Sequence, residues 1–257
     1  MEYMDGSQRN ILGIKKMLLE INNIHKQFGG LVALKGINFS VGYGETLGLM
    51  GANGAGKTTL FSLIAGHQEP TLGSITFEGQ KINRMRPDQI SALGVARTYQ
   101  IVRPFRGLSV LENVTTGALY GAHKIRSIKN ASKFSREILE DVKLKDRAED
   151  LAGSLTLAGF KRLELAKALA TGPKILLLDE VMAGLTPREV NEAISIIETC
   201  KRKYNLTVVV IEHVMKALMR MCERIIVLHH GEMIAEGTPG QISEDSVVIK
   251  AYLGEQN

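Results

Sequence analysis

Short apolar runs and amphipathic stretches divide this chain into segments whose period changes along its length. Early runs have strand length: residues 18–21, 37–41 and 47–50. Residues 73–77 and 81–82 flank Glu78-Gly79-Gln80 and predict a hairpin. From Ser109 to about Val142 the spacing is helical, with Leu111, Val114 and Ala118 on one face. After Leu155, helix and strand alternate. The pattern predicts helices over 160–170, 187–203 and 214–222, and strands over 175–178, 207–211 and 225–228. In the longest helix Val190, Ala193, Ile194, Ile197 and Cys200 form one apolar stripe. Thr186-Pro187-Arg188-Glu189 starts it with a Thr N-cap, Pro at the first position and a Glu that closes a capping box. The methionines of 214–222 read as core filler. Such alternation implies a parallel sheet wrapped by helices.

Composition narrows this picture modestly. A chain of 257 residues with 44% hydrophobic content can bury one large core. No apolar run approaches the ~18 residues of a membrane span. Residues 1–16 carry Glu2, Asp5, Arg9, Lys15 and Lys16 without a long apolar stretch, so they read as a tail and not a secretory signal. Cys200 and Cys222 lie on apolar faces and read as buried free thiols of a reducing compartment. The net charge of +5 permits an anionic partner without requiring one. The basic stretch Lys124, Arg126, Lys129, Lys133 and Arg136 reads as a solvated helix face.

The chemistry is concentrated in two places. Gly51-Ala52-Asn53-Gly54-Ala55-Gly56-Lys57-Thr58-Thr59 is a G-x-x-x-x-G-K-[ST] loop between a strand and a helix. Glycines let backbone N–H groups turn inward around a polyphosphate, and the helix that follows presents its positive end to the same anion. Gly51, Asn53, Gly54, Ala55, Gly56, Lys57, Thr58 and Thr59 are therefore candidate contacts to a nucleoside triphosphate. Lys57 can reach the β- and γ-phosphates, and the Thr58 hydroxyl can ligate Mg²⁺. The second place is Ile175-Leu176-Leu177-Leu178-Asp179-Glu180, an apolar strand that ends in two carboxylates. Ligands sit at the carboxyl ends of parallel strands. Asp179 is a candidate to hold Mg²⁺, directly or through water, and Glu180 a candidate base for an attacking water. Gln100 and His213 stand at two further strand ends, where taken singly they say little.

Taken together, Gly51–Thr59, Gln100, Ile175–Glu180 and His213 have the order and spacing of the nucleotide-binding subunit of ABC transporters, and the resemblance runs from about Met17 to Gly254. It implies an α/β fold: a P-loop NTPase (RecA-like) core with a β-rich N-terminal layer and an inserted helical subdomain. The implied organisation is one ATPase domain over 17–254, with the helical subdomain at about 101–155. It implies that Gln100 senses Mg²⁺ and the γ-phosphate, that His213 contacts the γ-phosphate, and that Phe28 stacks on adenine; the plainer reading of Phe28 is a core aromatic. Gly94-Val95-Ala96-Arg97-Thr98-Tyr99-Gln100, Leu108–Val114, Ile234–Pro239 and Ala251–Gly254 are similar to the ATPases of branched-chain amino acid importers. That group implies ATP and Mg²⁺ as cofactors and a second ATPase subunit as partner. It further implies two membrane permease subunits, an extracytoplasmic solute-binding protein, a peripheral place on the cytoplasmic face of the membrane, and no direct nucleic acid. Urea or amide importers and lipopolysaccharide-type exporters share parts of the pattern. A soluble nucleic-acid-linked ABC ATPase is the reading from another class.

Two departures stand out. The family's Leu-Ser-Gly-Gly-Gln signature, which serves the partner's nucleotide, falls on Leu155, Thr156, Leu157, Ala158 and Gly159. Thr156 keeps the hydroxyl, a helix is expected to start near Phe160, and Leu157 and Ala158 stand where glycines would let backbone approach a phosphate. The loop after the carboxylate strand ends Leu185-Thr186 where the family has Leu-Asp, and Thr186 is expected to act as a helix cap instead.

Overall fold

The computed structural model describes residues 16–99, 104–123, 125–212 and 215–253. Two sheets organise them. Strands β1 (Met17–Phe28) and β2 (Leu31–Gly42) form a long antiparallel hairpin around Gly29 and Gly30. Strand β3 (Thr46–Met50) follows, buried throughout, and leads through the glycine-rich loop into helix α1 (Lys57–Ile64). The chain then returns to the first sheet with β4 (Leu72–Phe77) and β5 (Gln80–Lys81), giving the order β2-β1-β4-β5.

Helix α2 (Pro87–Leu93) carries the chain to β6 (Val95–Arg97). Between β6 and β7 lie α3 (Val110–Tyr120), α4 (Ile128–Asp141), two single 3-10 turns and α5 (Leu157–Ala170). Strand β7 (Ile175–Asp179), α6 (Pro187–Tyr204), β8 (Thr207–Ile211), α7 (Met215–Met221), β9 (Arg224–His229) and β10 (Glu232–Gly237) complete the second sheet. Helices α8 (Pro239–Glu244) and α9 (Ser246–Leu253) close the described chain. The second sheet has the order β10-β9-β3-β8-β7-β6, parallel except for the antiparallel edge strand β10.

Burial explains why these runs became strands. β3, β7 and β8 are buried at every position, as central parallel strands covered on both faces must be. Their two faces belong to different cores. One contains Leu176, Leu178, Val208 and Val210 with the apolar faces of α3, α4, α5 and α6. The other contains Leu47, Leu49, Leu177, Val209 and Ile211 with α1 and the antiparallel sheet. Cys200 and Cys222 are buried free thiols, and burial pushes both up to about 12. No helix of the described residues is long and apolar enough to cross a membrane.

The structure corrects several expected boundaries. The single helical stretch over 109–142 is two helices. The chain turns at Gly121, where a Cβ would lie 2.3 Å from Thr171 Cα and O. Helix α5 begins at Leu157 and not near Phe160, because the Thr156 hydroxyl accepts from Gly159 N at 3.2 Å and caps it. The signature residues Leu157, Ala158 and Gly159 are thus the first helical turn. Phe28 is 42% exposed at the end of β1, so it is not a core aromatic.

Candidate nucleotide site

The glycine-rich loop has its shape because its neighbours leave no alternative. Gly51 has φ 155°, and a Cβ there would lie 2.4 Å from Leu228 O. Gly56 has φ 104°, and a Cβ would lie 2.6 Å from Leu34 Cδ2. Both positions exclude a side chain. The turn between β9 and β10 holds the loop from outside: Gly231 N donates to Ala55 O at 3.1 Å, and Lys35 N donates to Gly231 O at 2.8 Å.

Inside this frame α1 starts on Gly56 with no side-chain cap. Helices α3, α5, α6 and α8 each have a Ser or Thr cap that accepts from a first-turn amide. No side chain caps the start of α1, and the helix dipole there gives a field that favours an anion. Lys57 is 5% exposed, and its Nζ donates to Gly51 O at 2.6 Å and Ala52 O at 2.9 Å. Thr58, Asn53 and Gly54 are exposed, and Thr59 is half-buried.

The carboxylates stand two strands away in the same sheet. Asp179 ends β7 and is 2% exposed. Its backbone N donates to Thr98 Oγ1 at 3.1 Å, and its Oδ2 accepts from Arg97 Nη2 at 2.6 Å. Thr58, Arg97 and Asp179 line one cleft of about 810 Å³ with Tyr99, Glu164 and Lys167. Glu180 follows in a left-handed conformation, φ 50°, which is strained for a residue with a side chain. Three hydrogen bonds over-determine it: Glu180 N donates to Ile211 O at 3.0 Å, and Glu180 O accepts from Ala183 N at 3.2 Å and Lys161 Nζ at 3.0 Å. Lys161 comes from α5 and is buried, and desolvation lowers its pKa against the opposing pull of Glu212, Glu180 and Asp179. Glu212 is also buried and accepts from Met182 N at 2.9 Å.

The structure therefore brings Thr58 and Asp179 to one cleft and sets Glu180 beside Asp179. Phe28 lies at the exposed end of β1, with Lys26 Nζ 4.8 Å from its ring centroid. Gln100 and His213 lie outside the described residues. Leu157 is 49% exposed at the start of α5. Sequence reasoning gave no separate role to Arg97, Thr98, Lys161 and Glu212. A charged residue in the three-residue strand Val95–Arg97 was the available signal, since a charge in a buried strand needs a partner.

The donor set suits Mg²⁺. That ion takes hard oxygen ligands, often one or two carboxylates together with the phosphates of a substrate, rather than a full protein cage. A Thr hydroxyl and a buried carboxylate lining one cleft fit this. No cluster of three or more His, Cys, Asp or Glu side chains that would hold a metal alone occurs among the described residues.

Comparison with known proteins identifies the family and the fold. A family model described as "ABC transporter" matches residues 34–183. The chain belongs to the ABC transporter family. A second model, "Branched-chain amino acid ATP-binding cassette transporter", matches residues 232–256 of this cassette. The high-affinity branched-chain amino acid transport ATP-binding protein BraF of Pseudomonas aeruginosa is 37% identical over 254 residues, covering 94% of this chain and 100% of the relative. The corresponding protein LivG of Escherichia coli K12 is 38% identical over 250 residues, covering 93% and 98%. Among solved structures, the ADP conformation of an ATP-binding cassette of an ABC transporter matches with TM-score 0.85 and 29% identity, covering 93% and 99%. A dimeric bacterial ABC transporter cassette matches with TM-score 0.78 and 26% identity, covering 86% and 98%. The cassette is an ATP-binding subunit with a P-loop NTPase fold.

Proposed function

We propose that this cassette hydrolyses ATP to energise a membrane transporter that imports branched-chain amino acids. The observation that carries the solute class is the match of residues 232–256 to the branched-chain amino acid model, joined to 37% identity with BraF over almost the whole chain. The hydrolytic half rests on the loop and carboxylates. Backbone amides of the loop and first turn of α1 hold the phosphates, with Gly51, Asn53, Gly54, Ala55, Gly56 and Thr59 as its other contacts. Lys57 neutralises charge on the β- and γ-phosphates. Thr58 and Asp179, with Gln100, would hold Mg²⁺, which when bound draws charge from the phosphate oxygens. Glu180 accepts a proton as water attacks the γ-phosphorus and the bond to the leaving ADP oxygen breaks. His213 adds a contact to the γ-phosphate, and Phe28 stacks on the base. The cassette works as one domain over 17–254 with a helical subdomain at about 101–155. It pairs with a second ATPase and two permease subunits on the cytoplasmic face of the membrane, fed by an extracytoplasmic binding protein. Its segment Leu155, Thr156, Leu157, Ala158 and Gly159 faces the partner's nucleotide.

The test is Glu180→Gln in the assembled transporter. ATP binding should persist while hydrolysis falls at least ~100-fold, the range for loss of a general base. Uptake of labelled leucine into vesicles should fall with it. Normal ATP turnover would remove Glu180 from the role, and ATP-dependent uptake of another solute class would overturn the amino-acid reading.

A further inference from the structure

Arg97 is the one buried cation in direct contact with a proposed metal ligand among the described hydrogen bonds. Its Nη2 donates to Asp179 Oδ2 at 2.6 Å, and the two side chains are 7% and 3% exposed. Its Nη1 donates to Ser62 Oγ at 3.0 Å, and Ser62 Oγ donates to Thr58 O at 2.8 Å. One guanidinium thus touches Asp179 directly and the Thr58 turn through Ser62. Phe61 and Tyr99 flank it, with ring centroids 5.7 Å and 5.3 Å from Cζ. Its Nε is buried with no hydrogen-bond partner among the described residues. The pair is therefore close but incompletely satisfied, and the guanidinium has aromatic faces on which it can rest without the carboxylate.

We infer that Arg97 competes with Mg²⁺ for Asp179, and so sets how strongly nucleotide binding depends on the metal. The inference rests on the nucleotide-site reading above. Without a cation, a buried carboxylate at the phosphate end of the site would repel an incoming triphosphate. Arg97 screens that charge before the metal arrives. Once Mg²⁺ takes the carboxylate oxygen, guanidinium and metal oppose each other there. Competition of this kind is reciprocal: whatever Arg97 subtracts from metal affinity, the metal subtracts from the ion pair. A plain structural clasp between β6 and β7 would share the geometry but not the metal dependence.

Equilibrium binding of a fluorescent ATP analogue to the whole chain separates the two. Wild type, Arg97→Met and Arg97→Lys are each titrated in excess EDTA and in saturating Mg²⁺. Arg97→Met keeps the apolar stem against Phe61 and Tyr99 but removes the charge. Its ratio of affinities with and without metal should widen about tenfold, the scale on which a neighbouring opposite charge alters a carboxylate's hold on a cation. Arg97→Lys should stay close to wild type. In an Asp179→Asn background Arg97→Met should leave the ratio unchanged. Equal weakening in both buffers, or a narrowed ratio, would show a structural clasp and overturn the inference. Widening that persists without Asp179 would overturn the assignment to that carboxylate. If Arg97→Met lacks a cooperative thermal transition, Arg97→Gln replaces it with the same expectation. Failure of wild type to bind the analogue in either buffer would count against the nucleotide site itself.

Discussion

Lys57 folds its ammonium onto the carbonyls of Gly51 and Ala52, the loop it would leave to meet a polyphosphate. Lys57→Ala is expected to weaken ATP binding about tenfold to a hundredfold, the scale of a charged hydrogen bond. Calorimetry reads the affinity, and an unchanged circular dichroism spectrum confirms the fold. Phe28 makes a different kind of contact. Its exposed ring should hold a base by its face and not by its edge, so Phe28→Ala should weaken ATP and GTP alike, by about 1–3 kcal/mol. Unchanged affinity for both nucleotides would remove Phe28 from the base-binding role. The loop residues were legible in sequence because they are contiguous and their chemistry is local. Arg97 was not, because its partner stands 82 positions away and only the folded sheet brings strands 95–97 and 175–179 together.

At the scale of elements, legibility followed burial and capping. Strands 175–179 and 207–211 are buried on both faces, so their apolar runs stood out. The break between α3 and α4 was hidden because the reason for it, the Thr171 backbone against Gly121, comes from a distant segment. Helix α5 started early for a local reason. Thr156 caps it, but Gly159 stands where a capping box would place Glu or Gln. Short helices such as α2 and α8 lack the length for a periodic pattern, although both have Pro in their first turn. Helix α6 carries every signal at once. Thr186 Oγ1 accepts from Glu189 N, and Glu189 Oε2 accepts from Thr186 N at 2.8 Å. Thr186→Ala should therefore destabilise the protein by about 1 kcal/mol, read as a lower urea midpoint at constant slope. No change would mean that the Leu185-Thr186 departure from the family pattern is not structural.

The whole molecule is two cores sharing one sheet, with polar ties between the inserted helices and α6. Lys203 Nζ donates to Asp141 at 2.7 Å, Lys143 Nζ to Glu192 at 3.0 Å, and Arg162 Nη2 to Glu192 at 2.6 Å. Leu157 is exposed in the first turn of α5, the segment proposed to face a partner cassette's nucleotide. A leucine at that position leaves less room for backbone to approach a phosphate than a glycine does. In an assembly with a related ATPase the two sites should then be unequal. The site containing Glu180 would face the partner's signature and should be the faster. Glu180→Gln should lower ATPase activity more than the matching change in the partner. A larger loss from the partner's change would reverse the assignment of the weaker site.

The brace that the β9–β10 turn provides also bears on how this protein is made. Strand β3 is among the first strands of its sheet to leave the ribosome, yet its two neighbours are β8 and β9. Gly51 is packed against Leu228, and Ala55 is held by Gly231. The nascent chain thus carries the phosphate-binding motif without the surroundings that shape it until β9 and the β9–β10 turn have been made. Pairing at such sequence separation is slow. A fragment that ends before residue 224 contains the complete motif but lacks the strand and turn that hold it, so ATP should assist the folding only of chains that extend past Gly231.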